Sequence, residues 1–446
     1  MTRALAVLLF AAALLVPGVA SASNVKALGA VGGAQVWFAE DHTVPLIALV
    51  VSLPAGSAYD PSTKAGEAAF AAALLGEGAG TLDSNAFRVA LAKRAIRLQV
   101  TPERDDLVVS LVTLSSNAKE AFRLLGMALS QPRFDPATMA RVRIALLQRM
   151  EEDRGDPRSV AEKGLYSFYF GPYAYGHPVS GDPRSLASVT REELLAFVRT
   201  HWVRGGMKIA VVGDTTEAAL AKLLHTAFAA LPEDAPPPLS VPVFMGAPGV
   251  HVLPMDVAQP VAFFAVPGPL RSDPDFLADA LANTILGGRG FSSRLQQNVR
   301  DTDGLTGGIS TDLVADRRAG VLLGSFAASA DDMNQAIADV RATMRKFAAD
   351  GPTGQEVSDA KAFLTGSFSL AFASDEDFAA RLNEMQRTGL SLDYLDKRAD
   401  MIDAITRDDV RQAARRLFNP SQMTVVVAGS LPKENVDDDA ANSSAP

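Results

Sequence analysis

The sequence predicts an α+β protein of two homologous domains, each a mainly antiparallel sheet with helices packed on one face, joined by a proline-rich linker. Three observations predict this. A helix-then-strand module recurs at constant spacing: Thr190 and Thr406, Met207 and Met423, and Gly213 and Gly429 are each 216 residues apart. Strand-like and helix-like stretches follow the same order in both halves. Between the halves lies Pro232-Glu233-Asp234-Ala235-Pro236-Pro237-Pro238, a stiff stretch that cannot continue a helix.

The chain opens with the pattern of a targeting segment. Arg3 precedes an apolar run from Ala4 to Val16, and Ala20-Ser21-Ala22 offers a small-residue cleavage site. Residues 1–22 are therefore expected to be a cleaved signal peptide, and the mature protein is expected in a bacterial periplasm. Removing Arg3 takes the net charge from −9 to −10. There is no cysteine, so no disulfide framework is available. The acidic balance and the lack of a basic stripe argue against nucleic acid. After the first segment, no run is long enough to span a membrane.

The first domain is expected over 23–231. Val36-Trp37-Phe38 and Leu46 to Leu53 read as a β-hairpin turning near Asp41 to Thr43. Gly66 to Leu75 is rich in helix formers and reads as a helix. Thr190-Arg191-Glu192-Glu193 has the form of a capping box and opens a helix to about Trp202, followed by a strand from Met207 to Val212. The linker is placed at 232–243 and the second domain at 244–433. Its His251 to Leu253 and Val261 to Val266 repeat the hairpin, and Asp275 to Leu286 repeats the helix. Thr406-Arg407-Asp408-Asp409 then opens a helix, and Met423 to Ala428 is its strand. The segment 434–446 is acidic and polar and is expected to be a disordered tail.

The helix from Gly66 carries the most informative residues. Positions 69, 72 and 73 share one face, and a helix reading H-x-x-E-H at this spacing would place two imidazoles on a zinc ion with a glutamate beside its water. Ala69, Ala72 and Ala73 stand there instead, and alanine neither binds zinc nor moves a proton. The five histidines, 42, 177, 201, 225 and 251, lie nowhere within a helix turn of one another, so no alternative zinc cluster is legible. Gly287-Gly288-Arg289-Gly290 lacks the Gly-Lys-Ser/Thr of a phosphate loop. Ser292 and Ser293 have no base placed to activate them. Glu151 and Glu152 read as a solvated helix face.

This order of motifs resembles the M16 (insulinase/pitrilysin-like) peptidase family, in particular its smaller bacterial, mitochondrial-processing-peptidase-like branch. The Gly66 helix resembles the family's zinc helix, and Tyr175-Gly176-His177-Pro178 through Gly181 its Y-x-H-P-x-x-G stretch. Leu286 to Leu295, with Ser293-Arg294-Leu295, and Val299-Arg300-Asp301 into Gly304-Leu305-Thr306 resemble its glycine-rich S-R-L and L-R-E-x-x-G-L segments. The resemblance implies a third zinc ligand near Gln148 or Arg149, where no carboxylate stands. It also implies a metal-free subunit that holds no cofactor and pairs with a zinc-bearing homologue around a peptide substrate.

In such pairs an arginine, and a tyrosine seven residues on, bind the substrate carbonyl; here these positions are Arg300 and Gly307, a departure from the pattern. Arg300 also reads as an ordinary surface or ion-paired arginine. Gly287, Gly288, Ser292 and Ser293 are candidate substrate contacts through strand addition at the sheet edge, although the preferred reading of the glycines is structural: positive φ angles and close packing. The implied function is a non-catalytic subunit of a peptide-degrading chamber. A stand-alone periplasmic peptide-binding or chaperone-like protein, and a structural core subunit of an envelope assembly, are the alternatives. A peptidase with a displaced metal site is disfavoured by the missing ligands.

Overall fold

The computed structural model describes residues 25–31, 33–239, 246–288, 290, 292–302, 304–368 and 372–431. The expected signal peptide, the expected tail, residues 240–243 of the linker, and Arg289 and Phe291 of the glycine-rich turn lie outside them. The first half runs β1 (Val25–Val31), β2 (Ala34–Glu40), β3 (Leu46–Leu53), α1 (Glu67–Leu74), α2 (Ser84–Lys93), β4 (Arg97–Pro102), β5 (Leu107–Leu114) and α3 (Ala118–Ser130). It continues through α4 (Pro136–Gly155), α5 (Pro157–Phe170), α6 (Pro183–Ser188), α7 (Arg191–His201), β6 (Lys208–Gly213) and α8 (Glu217–Phe228).

The second half repeats the plan. It runs β7 (Gly249–Leu253), β8 (Val261–Gly268), α9 (Phe276–Gly287), β9 (Ile309–Ala315), β10 (Gly320–Ala327), α10 (Met333–Asp350) and α11 (Gly354–Phe368). Then come α12 (Asp375–Arg387), α13 (Tyr394–Ala404), α14 (Arg407–Leu417) and β11 (Thr424–Ala428). The duplication is physical as well as numerical. Thr190 with Glu193, and Thr406 with Asp409, close full capping boxes on α7 and α14. Gly213 and Gly429, which end the paired strands β6 and β11, both have left-handed φ angles, 132° and 144°.

Among the described residues the first sheet has the order β1-β2-β6-β3-β5-β4 and the second β7-β11-β8-β10-β9. All neighbours are antiparallel except β2 with β6 and β7 with β11. The two expected hairpins are therefore not hairpins. A late strand inserts between each pair, β6 between β2 and β3, and β11 between β7 and β8. The reason is burial: Ile209 to Val212 and Val425 to Ala428 are buried continuously, and a run buried on both faces stabilises only a central position.

Each sheet packs its own helices on one face. Val36, Phe38, Leu49 and Val51 meet α1, α3, α7 and α8, while Phe264, Val266, Leu322 and Val427 meet α9, α10 and α14. The opposite faces are covered by an exchange between the halves. Leu165, Tyr169 and Phe170 of α5 pack on Phe263, Ala265 and Val426 of the second sheet. Phe378, Leu382 and Met385 of α12 pack on Trp37, Val50 and Val212 of the first. Gly164 lets α5 approach closely, since a Cβ there would lie 2.5 Å from Leu253 Cδ1. From α12, Asn383 Nδ2 donates to Lys208 O at 3.0 Å and Gln386 Nε2 to Gln35 O at 3.1 Å.

The turns after β4 and β9 meet at the same seam. The Arg317 backbone N–H donates to Asp105 Oδ2 at 2.8 Å and its guanidinium to Asp106 Oδ1 at 2.7 Å. Arg387 of α12 pairs with Glu103, and Arg104 lies 3.5 Å over the Tyr166 ring. Among the described residues no helix is long and apolar enough to cross a membrane.

Candidate functional site

The helix that carries Ala69, Ala72 and Ala73 is held by an elaborate local frame. α1 begins after Gly66, whose φ of 100° suits only glycine. Asp60 caps it from outside: Oδ2 accepts the Gly66 N–H and Oδ1 the Ala68 N–H, both at 2.7 Å. Burial pushes the Asp60 carboxyl up to about 7 against the pull of those two amides.

The Y-x-H-P-x-x-G stretch supports the same corner. Gly181, at φ 77°, lies so close that a Cβ would fall 2.2 Å from Ala65 O and 2.4 Å from Gly66 Cα. Tyr175 anchors the other end, its hydroxyl donating to Asp105 Oδ1 at 2.6 Å. The Arg143 guanidinium of α4 sits 5.1 Å over the Phe70 ring of α1.

The three alanines are mostly enclosed. Ala69 is 7% exposed and Ala72 2%, whereas Ala73 is half-buried. With Ala68, Phe70, Ala71 and Leu74 also buried, α1 is apolar on nearly every side, as befits a core helix. Gln148 and Arg149, where the resemblance puts the third ligand, are exposed on α4. Glu151 is exposed and pairs with Arg154 at 3.1 Å, and Glu152 is exposed beside it.

The histidines serve elsewhere. His42 sits between Asp214 and Glu40 at 2.6 and 3.0 Å. His177 contacts Pro178 O, and His251 stacks on Phe168 at 4.2 Å. His201 is buried between Tyr59 and Phe197, and burial pushes its imidazole down to about 4. Among the described residues no three His, Asp or Glu side chains gather as a metal-holding group.

The second set of candidates lies around β9. Gly287 and Gly288 close α9 and are buried. A Cβ on Gly287 would fall 2.4 Å from Thr311 Oγ1, and one on Gly288 2.7 Å from Thr284 Cα. Gly287 allows α9 to pack closely on β9, and Gly288 lets the chain leave α9 tight against that helix's own last turn. Neither has a left-handed φ; in this turn that falls to Gly290, at 72°. Ser293 is likewise buried and its hydroxyl faces the Gln296 N–H at 3.4 Å, so it too is interior. Ser292 is exposed and accepts from Gln297 Nε2 at 3.2 Å.

Arg294 is a clamp rather than a contact residue. It binds both oxygens of Glu356 at 2.7 and 2.8 Å, reaches Gly351 O at 3.0 Å, and lies 4.1 Å over the Phe347 ring. Arg300 is exposed on the helical turn Gln296–Thr302, and its carbonyl accepts the Gly304 N–H at 3.0 Å. Gly307 is also exposed, and beyond its chain neighbours no atom of the described residues lies within 4 Å of where its Cβ would be. Thr306 holds that loop, its hydroxyl donating to Ala327 O at 2.7 Å, and β9 follows at Ile309 as an edge strand.

The two candidate groups thus stand one in each half; α1 packs on α4, α7 and β4 of its own half. Sequence reasoning missed Asp60 and the seam formed by Asp105, Asp106 and Arg317. For Asp60 a signal existed: an acid-proline step, Asp60-Pro61, just ahead of a helix with a glycine cap.

Two family descriptions match this architecture in order. Residues 35–182 match the insulinase family, peptidase family M16, and residues 188–364 match the peptidase M16 inactive domain. The chain belongs to the M16 family. A non-peptidase homologue, YmxG of Helicobacter pylori, is 22% identical over 90% of this chain and 92% of its own. An uncharacterized zinc protease of Mycobacterium leprae, ML0855, is 26% identical over 82% of each chain. A probable mitochondrial-processing peptidase subunit beta of Arabidopsis thaliana is 25% identical over 53% of this chain and 45% of its own. The crystal structure of a peptidase M16 inactive domain from Pseudomonas fluorescens superposes with a TM-score of 0.86 at 27% identity, covering 92% of this chain and 98% of that one.

Proposed function

We propose that this chain is a periplasmic, non-catalytic M16 subunit that pairs with a zinc-bearing homologue and contributes Arg300 to that partner's substrate site. One observation carries the reading: the zinc helix is retained and braced while the three positions that would do chemistry carry methyl groups. Asp60, Gly181 and Arg143 hold α1 in place, yet alanines at 69, 72 and 73 supply neither a metal ligand nor a proton acceptor. The likeness to a protein described as a non-peptidase homologue supports the absence of peptidase activity in this chain alone.

The zinc protease name among the relatives supports the complementary part, a homologue that keeps the metal. That a relative bears the name of a processing-peptidase subunit supports work in an assembly. In that setting the exposed Arg300 guanidinium would donate to a peptide carbonyl as charge develops on its oxygen. Gly307, lacking the tyrosine, would leave Arg300 to do so without that second donor.

The test is co-expression with an H-x-x-E-H homologue, with metal analysis and peptide-cleavage assays on each chain and on the pair. The expected result is zinc in the homologue only and faster cleavage by the pair. Arg300→Ala should slow the pair by on the order of 10²-fold without dissociating it. Stoichiometric zinc and cleavage by this chain alone would overturn the reading, and an unchanged rate in the variant would remove Arg300 from the site.

A further inference from the structure

A cavity of about 480 Å3 opens at the seam between the halves, where the start of β3 and the end of β5 face the entrance to α12. Leu46, Ala48 and Val112 on the sheet side and Phe372 and Phe378 opposite give it an apolar part, and Thr43 and Ser374 add hydroxyls. Volume and position are those of a ligand pocket, which forms preferentially at domain interfaces.

The mouth is charged and unbalanced. It carries Asp41, Asp375 and Glu376 against one cation, Arg97, so the lining is negative by two. Arg97 is already engaged with Glu376. Asp41 accepts the Thr43 N–H at 2.7 Å and lies near His42, but among the described residues it forms no salt bridge. Asp375 is half-buried, and burial and the neighbouring Asp41 raise its pKa. Asp41 and Asp375 thus line one slot, and among the described residues neither forms a salt bridge.

We propose that this cavity binds a primary ammonium group carried on an apolar chain, with the ammonium between Asp41 and Asp375 and the chain against Leu46, Ala48, Val112 and Phe378. A neutral apolar ligand would cover the carboxylates and leave them unpaired, which is costly. An anion would be repelled, and a bare metal ion would gain nothing from the apolar walls. An ammonium with an apolar body satisfies both parts of the lining. The same chemistry is found in free alkylamines and at the N-terminus of a peptide that begins with apolar residues. The inference stands on the cavity's lining and is independent of the pairing proposed above.

Calorimetric titration of the full chain with hexylamine, hexan-1-ol and hexanoate is the test. Hexylamine should show saturable binding in the millimolar range, hexan-1-ol should bind about tenfold more weakly or worse, and hexanoate should not bind. Asp375→Asn and Asp41→Asn should each weaken hexylamine by about tenfold while circular dichroism stays unchanged. A Leu-Leu-Gly-amide peptide that binds with a free N-terminus but not when acetylated would assign the site to peptide N-termini; hexylamine binding without peptide binding would assign it to free amines. Equal binding of all three hexyl compounds, no saturable hexylamine binding, or an Asp41→Asn/Asp375→Asn double variant that binds as well as the parent would overturn the proposal.

Discussion

Leu165→Ala should loosen the half of the protein that does not contain Leu165. The side chain is 1% exposed and lies on α5, among Phe263, Ala265 and Val426 of the second sheet. Truncating a fully buried leucine costs about 3 kcal/mol, the transfer term plus the cavity left behind. If α5 and the second sheet open together, the free energy of that opening falls by the same amount. Amide exchange through it should then speed up by about 100-fold, at tenfold per 1.4 kcal/mol. Hydrogen-exchange mass spectrometry resolves the question by segment. Peptides covering 261–268 and 424–428 should lose protection in Leu165→Ala, and the reciprocal Leu382→Ala in α12 should expose 46–53 and 208–213. Leu165→Ala that speeds exchange only in first-half strands would refute the exchange of helices as the device that joins the halves.

Three further outcomes follow from particular residues. Gly307→Tyr should fold with an unchanged melting temperature, because open space surrounds that Cβ, and in the proposed pair it should raise the cleavage rate by about tenfold. An unchanged rate would show that the position does not reach the substrate. Gly181→Ala should lose about 2–4 kcal/mol in urea denaturation, since a left-handed φ of 77° alone costs a Cβ-bearing residue about 1 kcal/mol and the clash with Ala65 O adds to it. A loss below about 0.5 kcal/mol would mean the motif does not brace α1.

The third concerns pH. His201 is neutral when folded, with its pKa pushed down to about 4 from the ordinary 6.5, so the unfolded chain binds the extra proton between those values. Its contribution is therefore present above pH 6.5 and lost as pH falls toward 4. Relative to the parent, His201→Phe should be about 2 kcal/mol more stable at pH 5 than at pH 8; a difference that stays flat with pH would show that the ring titrates alike in the folded and unfolded chains.

The repeat and its punctuation were legible because they are local. Thr190 and Thr406 announce their helices by side chains three residues apart, and Gly213 and Gly429 end their strands by backbone conformation alone. The strand pairing was not, because period-two alternation identifies a strand and says nothing of its neighbour. Val36 to Phe38 and Leu46 to Leu53 look like a hairpin until the continuous burial of Ile209 to Val212 requires a place between them. The helix exchange was hidden for a similar reason. α12 carries Asn383 and Gln386 on its inward face, polar residues that suggest solvent until their amides are seen donating to Lys208 O and Gln35 O.

At the candidate site the type of each residue was legible, and its burial was not. Ala69, Ala72 and Ala73 were placed on one face correctly, but nothing in the alanines themselves reveals that two of them are enclosed. In the glycine-rich turn the preference for a structural role was legible, but not its partners: Thr311 and Thr284 fill the space where side chains at Gly287 and Gly288 would be.

The two departures from the peptidase pattern differ physically in a way that bears on what the chain is for. Ala72 is 2% exposed, so a glutamate there would be buried, and a buried carboxylate costs several kcal/mol unless it is paired. At Gly307, which is exposed, a Cβ would meet no atom of the described residues within 4 Å beyond its chain neighbours. In the proposed reading, a metal site in the first half would require room for larger side chains on α1 and a carboxylate near Gln148, which is exposed on α4. In the same reading the second half would need one substitution, at Gly307, to complete the proposed donor pair, since Arg300 is exposed and Thr306 holds the loop that follows. That asymmetry favours a chain whose remaining capacity to act on a substrate lies in its second half, through donors it lends to chemistry carried out elsewhere.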